Sequence, residues 1–205
     1  MIRINDFINH FSSTFTDTGN LLPWEITRNL TDILRKRIEK LDNNFVATNG
    51  IAIHKTAVIE QNVILKAPLI VCENCYIGAN AYLRNGVYLS KGTSVGPGCE
   101  IKTSIIFNKT NIAHFNFIGD SIVGSNINFE AGSIAANYFN ERTDKTISVL
   151  FKSEIIKINT EKFGSLIGDN CKIGANAVLS PGTILNPGTV VNRLELIDQI
   201  NRTGF

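Results

Sequence analysis

Large aliphatic side chains recur at every sixth position along much of this chain. The longest run, in steps of six, covers Ile53, Ile59, Leu65, Val71, Ile77, Leu83, Leu89, Val95, Ile101 and Phe107. The same spacing returns near the C-terminus at Ile167, Ile173, Leu179, Leu185 and Val191. A small or β-branched residue stands two positions before most of these residues, as Ala81 does before Leu83.

A period of six is too short for a βαβ unit and does not match the 3.6-residue period of a helix. It fits a short strand followed by a tight corner, where Gly and Asn supply the positive φ that corners need. Three such units close one triangular coil, with the large aliphatics inside and parallel pairing between coils. The sequence therefore predicts an all-β, single-stranded parallel β-helix over residues 51–205.

The regular steps are interrupted between Phe107 and Ile134. In this stretch the steps alternate between five and six, through Phe107, Ile112, Ile118, Val123, Phe129 and Ile134. A residue missing from a coil re-aims the neighbouring side chains, much as a bulge does in a flat sheet. We therefore expect a functional site in this stretch.

Two segments lie outside the repeat. Residues 1–50 are a predicted N-terminal helical cap, in which the apolar residues of 23–42 keep helical spacing. We expect this helix to cover the open end of the β-helix, because an uncovered parallel edge invites aggregation. Residues 139–165 are a predicted inserted loop, in which the apolar runs 147–151 and 153–158 predict a protruding hairpin.

The composition is that of a folded globular protein, with 43% hydrophobic and 19% charged residues. A net charge of +2 gives no support for nucleic acid as a partner. The sequence has no run of about 18 apolar residues that could span a bilayer. Its first residues lack the features of a secretory signal. We expect a cytoplasmic protein.

The cysteines are predicted to be packing residues. Cys72 and Cys75 form a C-x-x-C pattern, but no second pair and no nearby histidine complete a zinc set. Cys75, Cys99 and Cys171 occupy the small-residue positions of the repeat, where a compact thiol packs well. We expect no metal to be required for the chemistry.

A candidate general base is found among the three histidines. An imidazole can accept a proton near neutral pH. His10 lies in the leading segment and His54 on the first regular coil, so both are expected to be surface residues. His114 lies inside the interrupted stretch and is the candidate.

From about Ile77 to Tyr138 the chain resembles the acetyltransferase domain of the bifunctional glucosamine-1-phosphate acetyltransferase/N-acetylglucosamine-1-phosphate uridylyltransferases, in the hexapeptide-repeat acyltransferase superfamily. The matching motifs, which align without a gap, are LRNG, EIK, AHFNFIGD and NINFEAGSIAANY. The later stretch, through EKFGSLIGDNCKIG, is more similar to archaeal-type sugar-phosphate nucleotidyltransferase/acetyltransferases. The resemblance implies left-handed coils, against the usual right-handed crossover rule.

The resemblance also implies roles for individual residues. It places the catalytic base on His114 and a phosphate-binding pair on Arg84 and Lys102. Glu100, from the EIK motif, is the candidate for orienting the imidazole of His114. The remaining implied contacts are substrate hydrogen bonds from Asn128, Asn137 and Tyr138, and cofactor contacts at Ala131 and Gly132.

Together these roles imply an N-acyltransferase for an amino-sugar phosphate or a nucleotide-linked amino sugar, with acetyl-CoA or another acyl-CoA as cosubstrate. The sites would lie at the seams of a homotrimer. An amine attacks a thioester only as the free base, so a histidine can take its proton. Arg and Lys suit a phosphate. Backbone N–H groups near Ala131 and Gly132 would face the thioester oxygen.

Two residues depart from the family pattern. Phe117 replaces a Tyr and loses its hydroxyl, and Glu130 replaces the first Gly of a GAG motif in the expected cofactor groove. Three other functions stay open: a sugar acyltransferase that uses acyl carrier protein, a non-catalytic trimeric scaffold or regulatory subunit, and a carbonic anhydrase. The last needs three histidine ligands, and His54 and His114 lie far apart in phase.

Overall fold

The computed structural model describes residues 2–200, and the last five residues of the predicted repeat domain lie outside this range. The chain forms a β-helix of stacked parallel coils, which confirms the fold predicted from the period of six. Its N-terminal part has two 3₁₀ turns, Ile4–Asp6 and Thr16–Thr18, and two helices, α1 (Phe11–Thr14) and α2 (Pro23–Ile38). Among residues 2–200, no helix is both long and apolar enough to cross a membrane.

The strands are short, as the six-residue period requires. In chain order they are β1 (Phe45–Thr48), β2 (Ile51–His54), β3 (Val58–Ile59), β4 (Ile64–Leu65), β5 (Leu69–Val71), β6 (Tyr76–Ile77), β7 (Tyr82–Leu89), β8 (Ser94–Val95), β9 (Glu100–Ile106), β10 (Asn111–Ile112), β11 (Phe117–Gly119), β12 (Ile122–Val123), β13 (Asn128–Phe129), β14 (Ile134–Ala135), β15 (Ser148–Phe151), β16 (Glu154–Lys157), β17 (Ser165–Ile167), β18 (Lys172–Ile173), β19 (Val178–Leu179), β20 (Thr183–Leu185), β21 (Val190–Val191) and β22 (Leu196–Ile197).

Each coil contributes to three faces of the β-helix. The covered face contains β2, β5, β12, β17, β20 and the C-terminal halves of β7 and β9. The middle face contains β3, β6, β8, β10, β13, β18 and β21. The striped face contains β4, β11, β14, β19, β22 and the N-terminal halves of β7 and β9. Within a full coil, Tyr82 pairs with Glu100, eighteen residues later.

The period of six is interrupted because one corner of the coil is shorter by one residue. Leu89 pairs with Ile106, seventeen residues later, after a register shift in β7. The missing residue belongs to the corner between the striped and covered faces. Where β7 has both Asn85 and Gly86 at this corner, β9 has only Thr103. In the shortened coils, consecutive side chains that point inward are therefore separated by six, six and five positions of sequence.

This register corrects two members of the predicted aliphatic series. Ile106, not Phe107, stands in line with Leu89. Ala135, not Ile134, is the fully buried residue of β14. Ile134 is 38% exposed and points outward on the striped face, while Phe107 is buried against the N-terminal segment.

The N-terminal segment lies along the covered face, so the prediction that its helix covers the open end was wrong. Helix α2 packs on β5, β7 and β9, and β15 packs on β20. The outward residues of this face are accordingly buried: Ile70, Tyr88, Ile105, Ile122, Leu166 and Ile184. At the end of the stack, β1 pairs antiparallel with β2 and occupies the edge of the first coil.

Aromatic side chains fix the segment to the coils. The ring centroids of Phe15 and Tyr88 lie 5.0 Å apart in an edge-to-face arrangement, and those of Trp24 and Phe163 lie 5.8 Å apart. Each such pair contributes about 0.5–1.5 kcal/mol beyond its buried area. Residues near the N-terminus therefore belong to the same core as the repeat.

A buried carboxylate makes a second connection between the segment and the coils. Asp169 is only 5% exposed. It accepts hydrogen bonds from the backbone N–H of Asn9 at 2.9 Å and of Ser125 at 2.7 Å, and its own N–H donates to the carbonyl of Phe7. Because a buried charge is tolerated only when it is hydrogen-bonded, these bonds are what permit Asp169 to lie here.

The inserted segment forms the predicted hairpin. Strands β15 and β16 pair antiparallel, with Phe151 opposite Glu154. Lys152 and Ser153 make the turn with φ values of 50° and 67°. Two consecutive positive φ angles are those of the type I′ turn, whose twist matches that of the flanking strands.

All four cysteines are buried and none forms a disulfide. Burial raises the pKa of Cys72 to about 11 and that of Cys75 to about 12. Both thiols are therefore protonated at neutral pH, which disfavours metal binding and nucleophilic chemistry. Their role as packing residues is confirmed.

We expect Ile122→Ala to destabilise the protein by about 2–5 kcal/mol, because the side chain fills the interface between the β-helix and the elements packed over the covered face. The matched control is Ile155→Ala in the hairpin, where the side chain is 56% exposed and the change should cost less than about 1 kcal/mol. Denaturant unfolding monitored by circular dichroism measures both. Equal stability of the two variants would mean that the covered face is not part of the core.

Candidate active site

The shortened corner between the striped and covered faces brings four of the predicted site residues together. We call it the Asp120 corner, after the residue that forms it in the second shortened coil. A depression of about 430 Å³ lies beside it on the striped face. Its lining includes Arg84, Lys102, Asn137 and Tyr138. We call this depression the acceptor pocket.

A buried network lies at the centre of this corner. Lys102 and Asp120 are 9% and 7% exposed, and Lys102 Nζ lies 2.5 Å from Asp120 Oδ2. Asn137 donates its side-chain N–H to the same carboxylate oxygen. Removal of either charge would leave the other buried without its partner, which is strongly destabilising. Asp120 thereby fixes the positions of both Lys102 and Asn137.

A second ion pair lies at the edge of the pocket. Arg84 Nη2 and Nε both lie 2.7 Å from Glu100 Oε1, and the two side chains are about one-third exposed. Glu100 was predicted to orient His114, but within one chain its carboxylate is bound by Arg84 instead. The guanidinium keeps exposed N–H groups on the pocket side, since its side chain is 29% exposed.

The inserted segment leaves and rejoins the β-helix at the Asp120 corner. Phe163 donates its N–H to the carbonyl of Asn137, and Gly164 donates to that of Asp120. The insertion therefore adds Glu161 and Lys162 to the pocket lining. The sequence identified the insertion as a functional element but did not single out these two residues.

His114 stands at the next corner, between the middle and striped faces. Its side chain is exposed, and its carbonyl accepts a hydrogen bond from the Gly132 N–H at 3.0 Å. Five residues further along, Gly119 pairs with Lys102. His114 and the acceptor pocket therefore lie at opposite sides of the striped face.

On the other side of the His114 corner, a groove of about 740 Å³ runs along the middle face. It is lined by Asn128 and by the cations Lys172 and Arg193, among others. Asn128 is thus separated from Arg84 and Lys102, with which it was grouped in sequence. Lys172 and Arg193 were missed, although Lys172 pairs directly with Asn128 in the repeat register.

Glu130 does not present an unpaired negative charge to this groove. Its carboxylate binds Arg193 through two hydrogen bonds of 2.8 Å and accepts the backbone N–H of Ala175 at 2.8 Å. These hydrogen bonds lower the pKa of Glu130 to about 2. Glu60 accepts the Ala79 N–H in the same way at an earlier coil. Glu130 is therefore a link between successive coils.

The predicted cofactor contacts Ala131 and Gly132 lie on the coil above His114. The N–H of Gly132 donates to the His114 carbonyl, so it is not available to a thioester oxygen. The Ala131 carbonyl likewise accepts the N–H of Asn176. Of the two predicted backbone donors, only the Ala131 N–H stays a candidate.

Metal ligands are not clustered at either corner. Among residues 2–200, no group of three or more His, Cys, Asp or Glu side chains is arranged to hold a metal ion.

Two family models match the chain. The model of the GMPPB C-terminal domain matches residues 65–138, and the model of the hexapeptide repeat of succinyl-transferase matches residues 166–192. Both matches fall on the stacked coils described above. The second model describes hexapeptide repeats, in agreement with the six-residue period of these coils.

Curated relatives of this hexapeptide-repeat protein include the bifunctional protein GlmU of two archaea. The protein of Methanococcus maripaludis strain S2 is 34% identical over 164 residues, which is 78% of this chain and 39% of the relative. That of Methanocaldococcus jannaschii is 32% identical over 177 residues, 84% of this chain and 40% of the relative. The chain thus spans about two-fifths of the length of these relatives.

Solved structures with a similar arrangement have low sequence identity. A putative acetyltransferase from Bacillus cereus has a TM-score of 0.49 and 11% identity, over 70% of this chain and 74% of that one. PerB from Caulobacter crescentus, in complex with CoA and GDP-perosamine, has a TM-score of 0.35 and 16% identity, over 70% and 54% of the chains.

The Glu130 link predicts a pH dependence. Because its pKa is lowered from the usual 4.5 to about 2, its contribution to stability is complete above pH 4.5 and is lost as the pH falls through about 2. We expect Glu130→Gln to lower the melting temperature at pH 7, and the difference from the natural protein to disappear near pH 2. Glu154→Gln, an exposed hairpin change, is the control. A pH-independent difference would contradict this assignment.

Proposed function

We propose that this protein is an acyl-CoA-dependent N-acyltransferase whose acceptor is an amino sugar that carries a phosphate. The observation that carries the proposal is the acceptor pocket, which Arg84, Lys102, Asn137 and Tyr138 line together. Similarity to the GlmU proteins over more than three-quarters of the chain supports the same class of reaction.

The acceptor pocket suits the phosphate end of such a sugar. Arg84 offers a planar fork of N–H donors, and Lys102 adds a compact positive charge. Asn137 and Tyr138 can bond to sugar hydroxyls. Phe117, which stands where the family has a Tyr, lines the same pocket and supplies an apolar ring instead of a donor.

His114, at the corner between the two grooves, is the proposed general base. With the phosphate held at the Asp120 corner, the sugar lies over the striped face, on the side of the corner that faces His114. The amine nitrogen attacks the thioester carbonyl carbon while His114 takes a proton from that nitrogen. The C–S bond then breaks and releases the CoA thiolate. A deprotonated amine is the only form with a lone pair for this attack.

The groove on the middle face is the proposed site of the acyl donor. Lys172 and Arg193 line it and would contact the phosphates of CoA. The Ala131 N–H, one coil beyond His114, is the proposed donor to the thioester oxygen. The Glu130–Arg193 bond places the guanidinium at the groove while leaving other N–H groups of Arg193, whose side chain is 73% exposed, open to a ligand.

The proposal includes a homotrimer with sites at its seams. An apolar stripe on the striped face, which Glu100 interrupts between Ile64 and Ile134, supports it: Ile64, Ile134 and Leu196 are 51%, 38% and 58% exposed. Repeated apolar residues on one face of a solenoid favour contact with another copy, since large exposed apolar patches are unusual on monomers. A neighbouring copy on this face would also enclose the space between His114 and the acceptor pocket.

The first test is thiol release from acetyl-CoA with a panel of amino sugars, each free, as the 1-phosphate and linked to a nucleotide. We expect turnover on phosphate-bearing acceptors and a fall in kcat of about 10²–10⁴ in His114→Ala, the usual size of a general-base effect. His54→Ala is the control and should keep full activity. Full activity of His114→Ala would exclude it as the base.

An inactive but well-folded natural protein would overturn the proposed reaction. Activity with acyl carrier protein donors would then assign the carrier-dependent reaction. Silence with both kinds of donor would assign the scaffold function.

If the apolar stripe forms the contact between copies, a charged substitution in it should lower the mass of the assembly. We expect Ile134→Glu to reduce the trimer to smaller species, because three buried copies of an unpaired carboxylate would face the seams. Ile155→Glu, at an exposed hairpin position, should leave the trimer intact. Light scattering coupled to size-exclusion chromatography measures both. A natural protein that runs as a monomer would contradict the assembly.

A further inference from the structure

A second depression lies on the other side of the Asp120 corner, and the proposed reaction does not use it. Its volume is about 460 Å³, and it lies between α2 and the corner residues Asn85, Thr103 and Asp120. Lys162 lines both this depression and the acceptor pocket. We call it the helix groove. A ligand held in the acceptor pocket can therefore extend past the side chain of Lys162 into the helix groove.

Helix α2 presents a cationic stripe to the helix groove. Arg28, Thr31 and Arg35 line it and follow at spacings of three and four, which places them on one side of the helix. The adjacent side carries Leu30 and Leu34, which are fully buried. The stripe is therefore held in place by the packing of the helix.

The corner faces the helix at Gly86. Gly86 has a φ of +92°, a left-handed conformation that favours glycine, and its nearest neighbours on the helix are atoms of Thr31. The left-handed corner residue of β7 therefore lies against the side of α2 that lines the helix groove.

The helix groove has an excess of positive charge. Arg28 and Lys162 form no ion pair with another side chain in residues 2–200. Arg35 pairs with the exposed Asp32 at 3.1 Å, an interaction weakened by solvent. The carboxylate of Asp120 is already bonded to Lys102 and Asn137. A concave surface with cations of this kind concentrates anions.

We propose that the helix groove binds the second phosphate and the ribose of a nucleoside diphosphate. An amino sugar linked to a nucleoside diphosphate is then the preferred acceptor, and the sugar 1-phosphate is a weaker one that leaves the helix groove empty. This assignment rests on the proposed function, because the first phosphate is placed on Arg84 and Lys102. The guanidinium of Arg28 donates hydrogen bonds to the second phosphate. The side chains of Asn85, Thr103 and Thr160 hydrogen-bond to the ribose hydroxyls.

The same lining predicts weak selection of the base. The residues of the helix groove are polar or cationic, with Ala67 and Pro68 as its apolar members, and none of them is aromatic. Base recognition usually requires a stacking surface or paired hydrogen bonds to the base edge. UDP and GDP should therefore bind with similar affinity.

The test compares Arg28→Gln with Lys36→Gln, which removes the same charge from an exposed position of α2 outside the groove. Calorimetric titration with UDP and with GDP measures binding without acyl transfer. We expect Arg28→Gln to weaken both nucleotides about tenfold, which is about 1.4 kcal/mol, and Lys36→Gln to change neither. The KM for a nucleotide-linked amino sugar should rise about tenfold in Arg28→Gln, while that for the sugar 1-phosphate stays unchanged.

Several outcomes would overturn this assignment. They are no binding of UDP or GDP by the natural protein, equal effects of the two variants, or an equal rise in KM for the sugar 1-phosphate. Unchanged melting temperatures in both variants verify that folding is intact. If Arg28→Gln loses nucleotide binding but the natural protein transfers no acyl group, the nucleotide site stands and the proposed reaction fails.

Discussion

Backbone pairing between successive coils is the constraint on which the rest of this structure depends. Each strand hydrogen-bonds to the strand one coil above and one coil below, so every residue has a fixed partner. A coil cannot be shortened by one residue at an arbitrary place without shifting these partners. Here the shortening is confined to a single corner, where Thr103 and Asp120 replace the two-residue corner of Asn85 and Gly86.

This confinement explains why the candidate site lies where it does. The shortened corner holds the Lys102–Asp120–Asn137 network, and the 138–163 excursion starts and ends beside it. The faces on either side remain regular, so they act as rigid walls for two depressions. The histidine corner is equally regular, with Glu60 and Glu130 bonding the backbone of the following coil.

The sequence predicted the β-helix and the hairpin, because each depends on local spacing. It also named Arg84, Lys102, Asn137 and Tyr138, which line one pocket, because each belongs to a contiguous motif. It could not place the helical segment, since the outward residues Ile70, Ile105 and Ile122 follow the same strand pattern whether a neighbour covers them or not. Nor could it show that Glu100 pairs with Arg84, or that Glu130 pairs with Arg193 across 63 positions of sequence. The second of these pairings depends on which coils lie side by side after the insertion.

Asp169 has a consequence for the order of events during synthesis. A solenoid can form coil by coil as it leaves the ribosome, since each coil contacts only its neighbours. Residues 7–9 are translated long before their partner Asp169, which lies 160 positions after Asn9. The hydrogen bonds of Asp169 to Phe7 and Asn9 can therefore form only after most of the β-helix has been translated.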